Sequence, residues 1–479
     1  MPETNKSRDD RRAVVIGGGI AGLLTARVLA EHFGQVTVIE RDRPPSGPEF
    51  RPGVPQARHV HALFVRGRIL LERLFPGFGA DLAAAGAERL EWPADILWYG
   101  PFGWGGRTRA GLVTYSSGRE LLEWLVRRRL ECDARVTFMS GYQVAELRAD
   151  RHGDVNGVAA VPHGGRESSG AAPVVVRADL VVDASGRDSR APRWLQALGY
   201  EPPAETVVNS FLGYASRYYH RPPGEPRPWK VAIVQRARPR GTRSGVLAPL
   251  EGDRWILTLA GAARDYPPND EEGFLRFARD LPHPILYDVA KELTPVSPIW
   301  AFRRTENRLR HYDRLTRRPE RIVVLGDAAC AFNPTYGQGM TVAAMHAATL
   351  HRSLRAQRAA NPDGSLQGFA GRFQRDLAND LRVPWLMATG EDFRHPATEG
   401  PRPGPSSRVS HWYLDRVIER ANSDVVVHHA FLEVVHLLRP PSILFRPDMM
   451  VRVLGPWKHR GASAVPPPPP ECRRDDAPG

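Results

Sequence analysis

The chain has 479 residues, 42% of them hydrophobic and 25% charged, which excludes a wholly disordered polymer and leaves room for two or three domains. Its formal charge of +13 comes from 66 basic and 53 acidic residues, with the arginines spread along the chain rather than clustered, so a nucleic-acid footprint is excluded. No apolar run approaches the ~20 residues a membrane helix needs, residues 1–12 hold no signal-peptide core, and Cys132, Cys330 and Cys472 form no metal or dithiol motif. A cytoplasmic enzyme without a metal site is the expectation.

Residues 1–12 read as a flexible tail. Ala13-Val14-Val15-Ile16 predicts a buried strand, residues 21–33 a helix, and residues 35–40 a second strand ending at Glu40. This is the length of a parallel βαβ unit. Between strand and helix lies Gly17-Gly18-Gly19-Ile20-Ala21-Gly22, a GxGxxG in the context that gives the pattern meaning. Gly17 permits the tight turn, Gly19 lets backbone approach a diphosphate, and Gly22 allows close helix–strand packing. The diphosphate would rest on the N-terminal N–H groups of the helix. Glu40 can accept from ribose hydroxyls and would repel a 2′-phosphate, so the nucleotide is the unphosphorylated ADP moiety of FAD or NAD. Gly103-Trp104-Gly105-Gly106 sits among aromatics and reads as a loop, which leaves one cofactor domain.

A Pro/Gly/Arg-rich loop spans residues 43–58 and contains Gln56. His59 and His61 follow, spaced so that one could face the cofactor and the other solvent; a structural role for both is equally open. Helical periodicity covers residues 63–82. Trp98, Phe102 and Trp104 belong to an aromatic group that either walls an apolar substrate pocket or is plain core. A helix opens at Arg119, a hairpin covers 151–177, and a buried strand covers 179–182. Alternation through residues 200–300 predicts a more antiparallel sheet.

The parallel pattern resumes at residues 321–325 and runs into Gly326-Asp327-Ala328-Ala329, Asn333-Pro334 and Gly337-Gln338-Gly339-Met340, which opens a helix over 340–358. A carboxylate at the strand end can hold a polyol hydroxyl, and a glycine-rich helix start can hold negative charge. Cys330 reads as a small buried packer. The remainder to about residue 460 is mostly helical, and five prolines at 466–470 mark a tail.

The expected fold is α/β: a Rossmann-like nucleotide-binding domain, a mixed or antiparallel-sheet substrate domain and a helical C-terminal region. Residues 13–200 and 306–360 form the first, with 85–118 inserted into the substrate domain. Residues 201–305 form the second, 361–460 the third, and 461–479 a disordered tail.

Gly17–Gly22, Glu40-Arg41, Arg119 and the stretch from Gly326-Asp327 to Met340 together resemble the FAD-dependent monooxygenases of the aromatic-hydroxylase superfamily, whose fold is that of p-hydroxybenzoate hydroxylase. More narrowly, the segment from Arg51-Pro52-Gly53 to His59-Val60-His61 resembles polyether epoxidases of the lasalocid and monensin type. So do Asp183-Ala184-Ser185-Gly186, Arg310-His311-Tyr312-Asp313 and Phe332-Asn333-Pro334-Thr335-Tyr336-Gly337.

The resemblance implies FAD as cofactor. Gly17, Gly19 and Gly22 would hold its diphosphate, Glu40 with Arg41 the ribose region, and the Val144 backbone the adenine. Arg119 and Asp327 would hold the phosphate and ribityl chain. Pro334, Gly337, Gly339 and Met340 would line the isoalloxazine, with Arg58 a further contact. It implies oxygen transfer from a C4a-hydroperoxyflavin to an apolar natural-product intermediate, free or carrier-tethered, most simply epoxidation of a polyene or polyketide alkene. Electrons would come from NAD(P)H, directly or through a separate flavin reductase. Ser185-Gly186 stands where aromatic hydroxylases carry Asp-Gly, which favours the separate reductase. The Trp-x-Trp-x-Ile-Pro motif of flavin halogenases is absent. A flavin reductase or dehydrogenase of an isoprenoid-like chain and a non-redox cyclase with structural FAD are the alternatives. Catalytic residues are undetermined, with Gln56, His59 and His61 the candidates.

Overall fold

The computed structural model describes residues 10–164, 172–224, 227–237 and 241–456. The proline run at 466–470, Cys472, most of the N-terminal tail and the middle of the 151–177 connection lie outside them.

The nucleotide half is built on a five-stranded parallel sheet in the order Ile322–Val324, Leu180–Asp183, Arg12–Ile16, Gln35–Glu40 and Val136–Ser140. These strands are runs of Val, Ile and Leu because helices or a second sheet layer cover both faces. Helix Ile20–Leu29 and the long helix Gly339–Ala360 pack on the sheet in one continuous core. The expected helix over 63–82 is two helices, Val65–Leu74 and Phe78–Ala84. Gly77, at φ +82°, turns the chain between them. Strands Val155–Pro162 and Val174–Arg177 pair antiparallel on either side of the partly undescribed connection.

The second half is a seven-stranded sheet in the order Trp300–Phe302, Gly213–His220, Arg254–Gly261, Arg243–Leu250, Val231–Val234, Ile96–Gly100 and Gly103–Trp104. All its pairings are antiparallel except Val231–Val234 with Ile96–Gly100, so a strand from far earlier in the chain completes this sheet. Strands Glu88–Pro93 and Arg109–Ser116 form a ribbon beside it.

The two faces of the seven-stranded sheet differ. One is covered by helices Glu271–Arg279 and Ile285–Ala290 over Trp104, Trp229, Trp255 and Phe274. The other carries Ile96, Tyr218, Val231 and Ile256 and meets Phe50, Val60, Trp92, Trp98 and Trp300. The helical C-terminal region comprises Phe369–Asp392, Ser406–Ala421, Val425–Val435 and Pro447–Leu454. No described helix is long and apolar enough to cross a membrane.

Candidate active site

The glycine loop behaves as its spacing demands. Gly17 stands at φ +101°, where a Cβ would lie 2.7 Å from the Ala184 carbonyl oxygen. A Cβ on Gly22 would lie 1.9 Å from the Gly17 carbonyl oxygen, so the helix can start this close to the strand only with glycine there. Gly19, by contrast, has only an Arg51 nitrogen within 4 Å of its Cβ position, and its backbone faces open space where a diphosphate would lie.

Glu40 is buried at the end of its strand. Its carboxylate accepts from the Gly18 N–H at 2.7 Å and the Asp42 N–H at 2.9 Å. Arg51 reaches the same place. It pairs with Asp42 at 2.8 Å, with Glu123 at 2.7 Å and with Glu40 at 3.4 Å. Burial works against its charge, but Glu123 and Glu40 outweigh that and hold its pKa above the ordinary value. Sequence reasoning missed Arg51 as a site residue, although it opens the 51–61 segment. Arg41 is exposed at the strand end. The Val144 side chain is buried in the core of the nucleotide half, and its strand pairs with Ala160.

Three groups fit a bound FAD because the protein leaves them without partners. The Arg119 Nε is buried and unpaired, while its Nη2 reaches Glu123 at 3.4 Å. Asp327 follows strand Ile322–Val324 and makes no hydrogen bond among the described residues. Burial raises its pKa, and Arg187 and Arg119 oppose the rise. The Gln338 Oε1, at the start of the helix beginning at Gly339, is also buried without a partner. Nothing lies within 4 Å of a Cβ on Gly339. Gly337 takes φ +65° against Ala62 and Phe64. Pro334 is exposed in the same loop, and Met340 is buried beneath it. Unpaired polar groups and bare backbone of this kind match an ADP diphosphate, a ribityl chain and a flavin ring in turn.

The loop that carries Pro334 is braced from the C-terminal helices. Asn333 donates to the Asp392 carboxylate at 3.2 Å, Tyr336 donates to it at 2.6 Å, and Asn307 donates at 2.6 Å. Burial raises the Asp392 pKa, opposed by Tyr336 and Arg236. Nothing in the sequence flagged Asp392, which lies 56 positions after Tyr336.

His59 and His61 are both turned inward, so neither takes the solvent-facing position that their spacing allows. His59 Nδ1 lies 2.8 Å from the Ser216 hydroxyl, which lies 2.6 Å from that of Thr258. Its ring meets Tyr214 edge-on at 4.4 Å. His61 Nδ1 lies 2.8 Å from the His59 carbonyl oxygen. A carbonyl accepts only, so Nδ1 carries the proton and Nε2 the lone pair of neutral His61. Burial, with Arg58 for His59 and Arg119 for His61, lowers both pKa values to about 3. Neither is a cation at neutral pH. Gln56 is half-buried, and its carbonyl accepts from the His59 N–H.

Arg58 sits among Phe50 and Trp300, 5.2 and 5.7 Å from their ring centres, and its Nε is buried without a partner. Beside it Tyr218 also has an unpartnered buried hydroxyl, as does one oxygen of Glu120. Burial, reinforced by Glu251, raises the Glu120 carboxyl to about 7. Glu120 and Tyr218 were not singled out from the sequence.

The three aromatic candidates separate. Trp98 faces the nucleotide half and stacks on Phe431 at 5.8 Å. The Phe102 carbonyl accepts from Asn422 at 3.1 Å. Trp104 lies in the helix-covered core on the other face, edge-on to Tyr99 and His283, and so cannot wall the same pocket as Trp98.

A family described as "FAD binding domain" matches residues 10–364. The chain is 36% identical over 438 residues to "Protein Rv3254" of Mycobacterium tuberculosis, covering 89% of each chain. It is 28% identical over 407 residues to kynurenine 3-monooxygenase of Salinispora tropica, covering 81% of each. The structure of p-nitrophenol 4-monooxygenase PnpA from Pseudomonas putida superposes with a TM-score of 0.61 at 18% identity, covering 89% of this chain and 99% of that one, which is a likeness of fold. The chain belongs to the FAD-binding-domain family of the FAD-dependent aromatic hydroxylase and monooxygenase superfamily, and it is an FAD-dependent monooxygenase.

Proposed function

We propose that this monooxygenase places one oxygen atom of O2 on an apolar natural-product intermediate, by epoxidation of an alkene. The observation that carries the reading is the lining of the sheet face turned toward the nucleotide half. Phe50, Val60, Trp92, Trp98, Ile233 and Val246 present hydrocarbon there. FAD, when bound and reduced with electrons from NAD(P)H, would supply the activated oxygen, the other atom of O2 leaving as water.

The residues of the chain do the rest. Glu40, Arg51, Arg119 and Asp327 hold the nucleotide and its chain. The braced loop at Asn333–Gly337 sets the ring position, and the aromatic wall excludes water. Attack on an alkene needs no base. His59 and His61, neutral and fixed by Ser216 and the His59 carbonyl, suit orientation and hydrogen bonding rather than deprotonation. We assign Ser185-Gly186 to a donor route through a separate flavin reductase, because no carboxylate stands at the position of Ser185.

A second reading, hydroxylation of an aromatic ring, is favoured by the similarity to kynurenine 3-monooxygenase and by Glu120, whose pKa near 7 suits a base. The dehydrogenase and cyclase alternatives fall away with the family.

Incubation under isotopically labelled O2, with FAD and NAD(P)H and with or without an added flavin reductase, tests this. A labelled epoxide from a polyene is the expected product. Label in a phenol only would overturn epoxidation in favour of the second reading. Equal rates without the reductase would overturn the assignment at Ser185.

A further inference from the structure

Strand Ile322–Val324 has Asp327 beyond its C-terminal end. At its other end, the edge of the parallel sheet turned away from the cofactor loops, lies a surface cleft of about 450 Å3. Arg317, Arg318, Arg372 and Arg375 line it, with Tyr200 and Glu320.

Four guanidinium groups share this cleft with a single carboxylate, that of Glu320. Arg375 Nη1 and Arg318 Cζ lie 3.4 and 3.6 Å from the same point, the position of a Cβ on Gly371, so two guanidinium groups converge across one glycine. Burial and then Arg375 lower the Arg318 pKa, and Glu320 and Asp313 only partly oppose them. Arg318 donates only to the carbonyls of Tyr312 and Leu315, and Arg372 only to Gln357 and the Gln367 carbonyl. Arg317 rests over the Tyr200 ring, 5.7 Å from its centre. Among the described residues none of the four is in an ion pair. Elsewhere in the chain Arg51, Arg187, Arg243 and Arg310 each pair with a carboxylate. Glu320, the one carboxylate of the lining, accepts from the backbone N–H groups of Gly368 and Ala370.

Four like charges brought together around one carboxylate, with no ion pair among them, are unfavourable unless an anion joins them. Guanidinium forks match phosphate oxygens in pairs, and a multiply charged group can bridge several at once. We propose that this cleft binds a phosphate-bearing small molecule, at a site separate from that of FAD.

The test is calorimetric titration of the FAD-loaded enzyme with inorganic pyrophosphate and, separately, with inorganic phosphate at constant ionic strength. The comparison is with R372Q/R375Q and, should that variant lose its flavin absorbance, with R317Q; Arg317, Arg372 and Arg375 are all exposed. Saturable binding at one site, weakened at least tenfold by the substitutions while the flavin spectrum stays unchanged, is expected. Tighter binding of pyrophosphate would assign a diphosphate occupant, and tighter binding of phosphate a phosphomonoester. No saturable binding of either, or equal affinity in the substituted enzymes, would overturn the proposal. So would an equal response to chloride, which would reduce the cleft to a diffuse positive field.

Discussion

On the function proposed here, the two halves of the molecule would meet their ligands by different means. In the nucleotide half the site is mostly backbone: glycine turns, strand ends and a helix start, with Glu40 and Asp327 at fixed steps from them. On the facing sheet the site is mostly side chains drawn from distant segments, including Phe50, Arg58, Trp98, Tyr218, Trp300 and Phe431. Backbone geometry tolerates almost no substitution where it is tight. A side-chain wall loses function gradually. The contrast shows where each half is fragile.

The sharpest way to break the comparison is at Gly22. Gly22→Ala sets a Cβ 1.9 Å from the Gly17 carbonyl oxygen, and overpacking against backbone this close costs about 3 kcal/mol, the upper end of the usual range. Purified protein should carry no FAD absorbance. Retention of FAD would contradict a site made by backbone contact. On the other half, Trp104→Ala should lower stability by about 3–5 kcal/mol in denaturant unfolding, because the indole is fully packed under helices. Bound FAD in the folded fraction should remain, since Trp104 faces away from it.

Glu120 sharpens the picture through pH. Its folded pKa of about 7 lies above the ordinary 4.5, so the stability it contributes is full below pH ~4.5 and is lost as pH rises through 7. At about 1.4 kcal/mol per unit, the wild type should lose up to about 3 kcal/mol from this group between those limits, and Glu120→Gln should not. Parallel stability–pH curves for the two proteins would show that Glu120 is ionised like a surface carboxylate.

Asp327→Ala is the smaller and more selective test. Removing a charged hydrogen-bond partner of the ribityl chain should weaken FAD binding by about 1.5–3 kcal/mol, roughly tenfold to a hundredfold, in a fluorescence titration. The FAD-free protein should melt no earlier, because Asp327 makes no bond within the described chain. A drop in the melting temperature of the FAD-free protein would make Asp327 a structural residue instead.

Much of the nucleotide half was legible in the sequence. Gly17, Gly19 and Gly22 carry conformational demands that no other residue meets, and Glu40 and Asp327 sit at strand ends that the Val/Ile runs announce. Arg51 was not legible. Its partners Glu40, Asp42 and Glu123 lie at a strand end, in a loop and on a helix, and only folding brings the three carboxylates around it. Asp392 was hidden for the same reason. The sequence singled out His59 and His61 as candidates but not their direction: period-two alternation allows one to point outward, whereas the Ser216 hydroxyl and the His59 carbonyl hold both inward.

By itself, then, the sequence determined whatever depends on local conformation: the βαβ unit, the glycine turns, the acid at each strand end and the two sheet types. Those follow from steric limits and side-chain periodicity within a few residues. The tertiary structure alone decided which aromatic faces the cofactor half and which fills a core, because Trp98 and Trp104 have the same chemistry and differ only in the face of the sheet they occupy. It also decided which arginines find a carboxylate and which do not. In a chain this rich in arginine, many pairs join segments as distant in sequence as Arg187 and Glu306 or Arg310 and Glu205, and no local pattern encodes them.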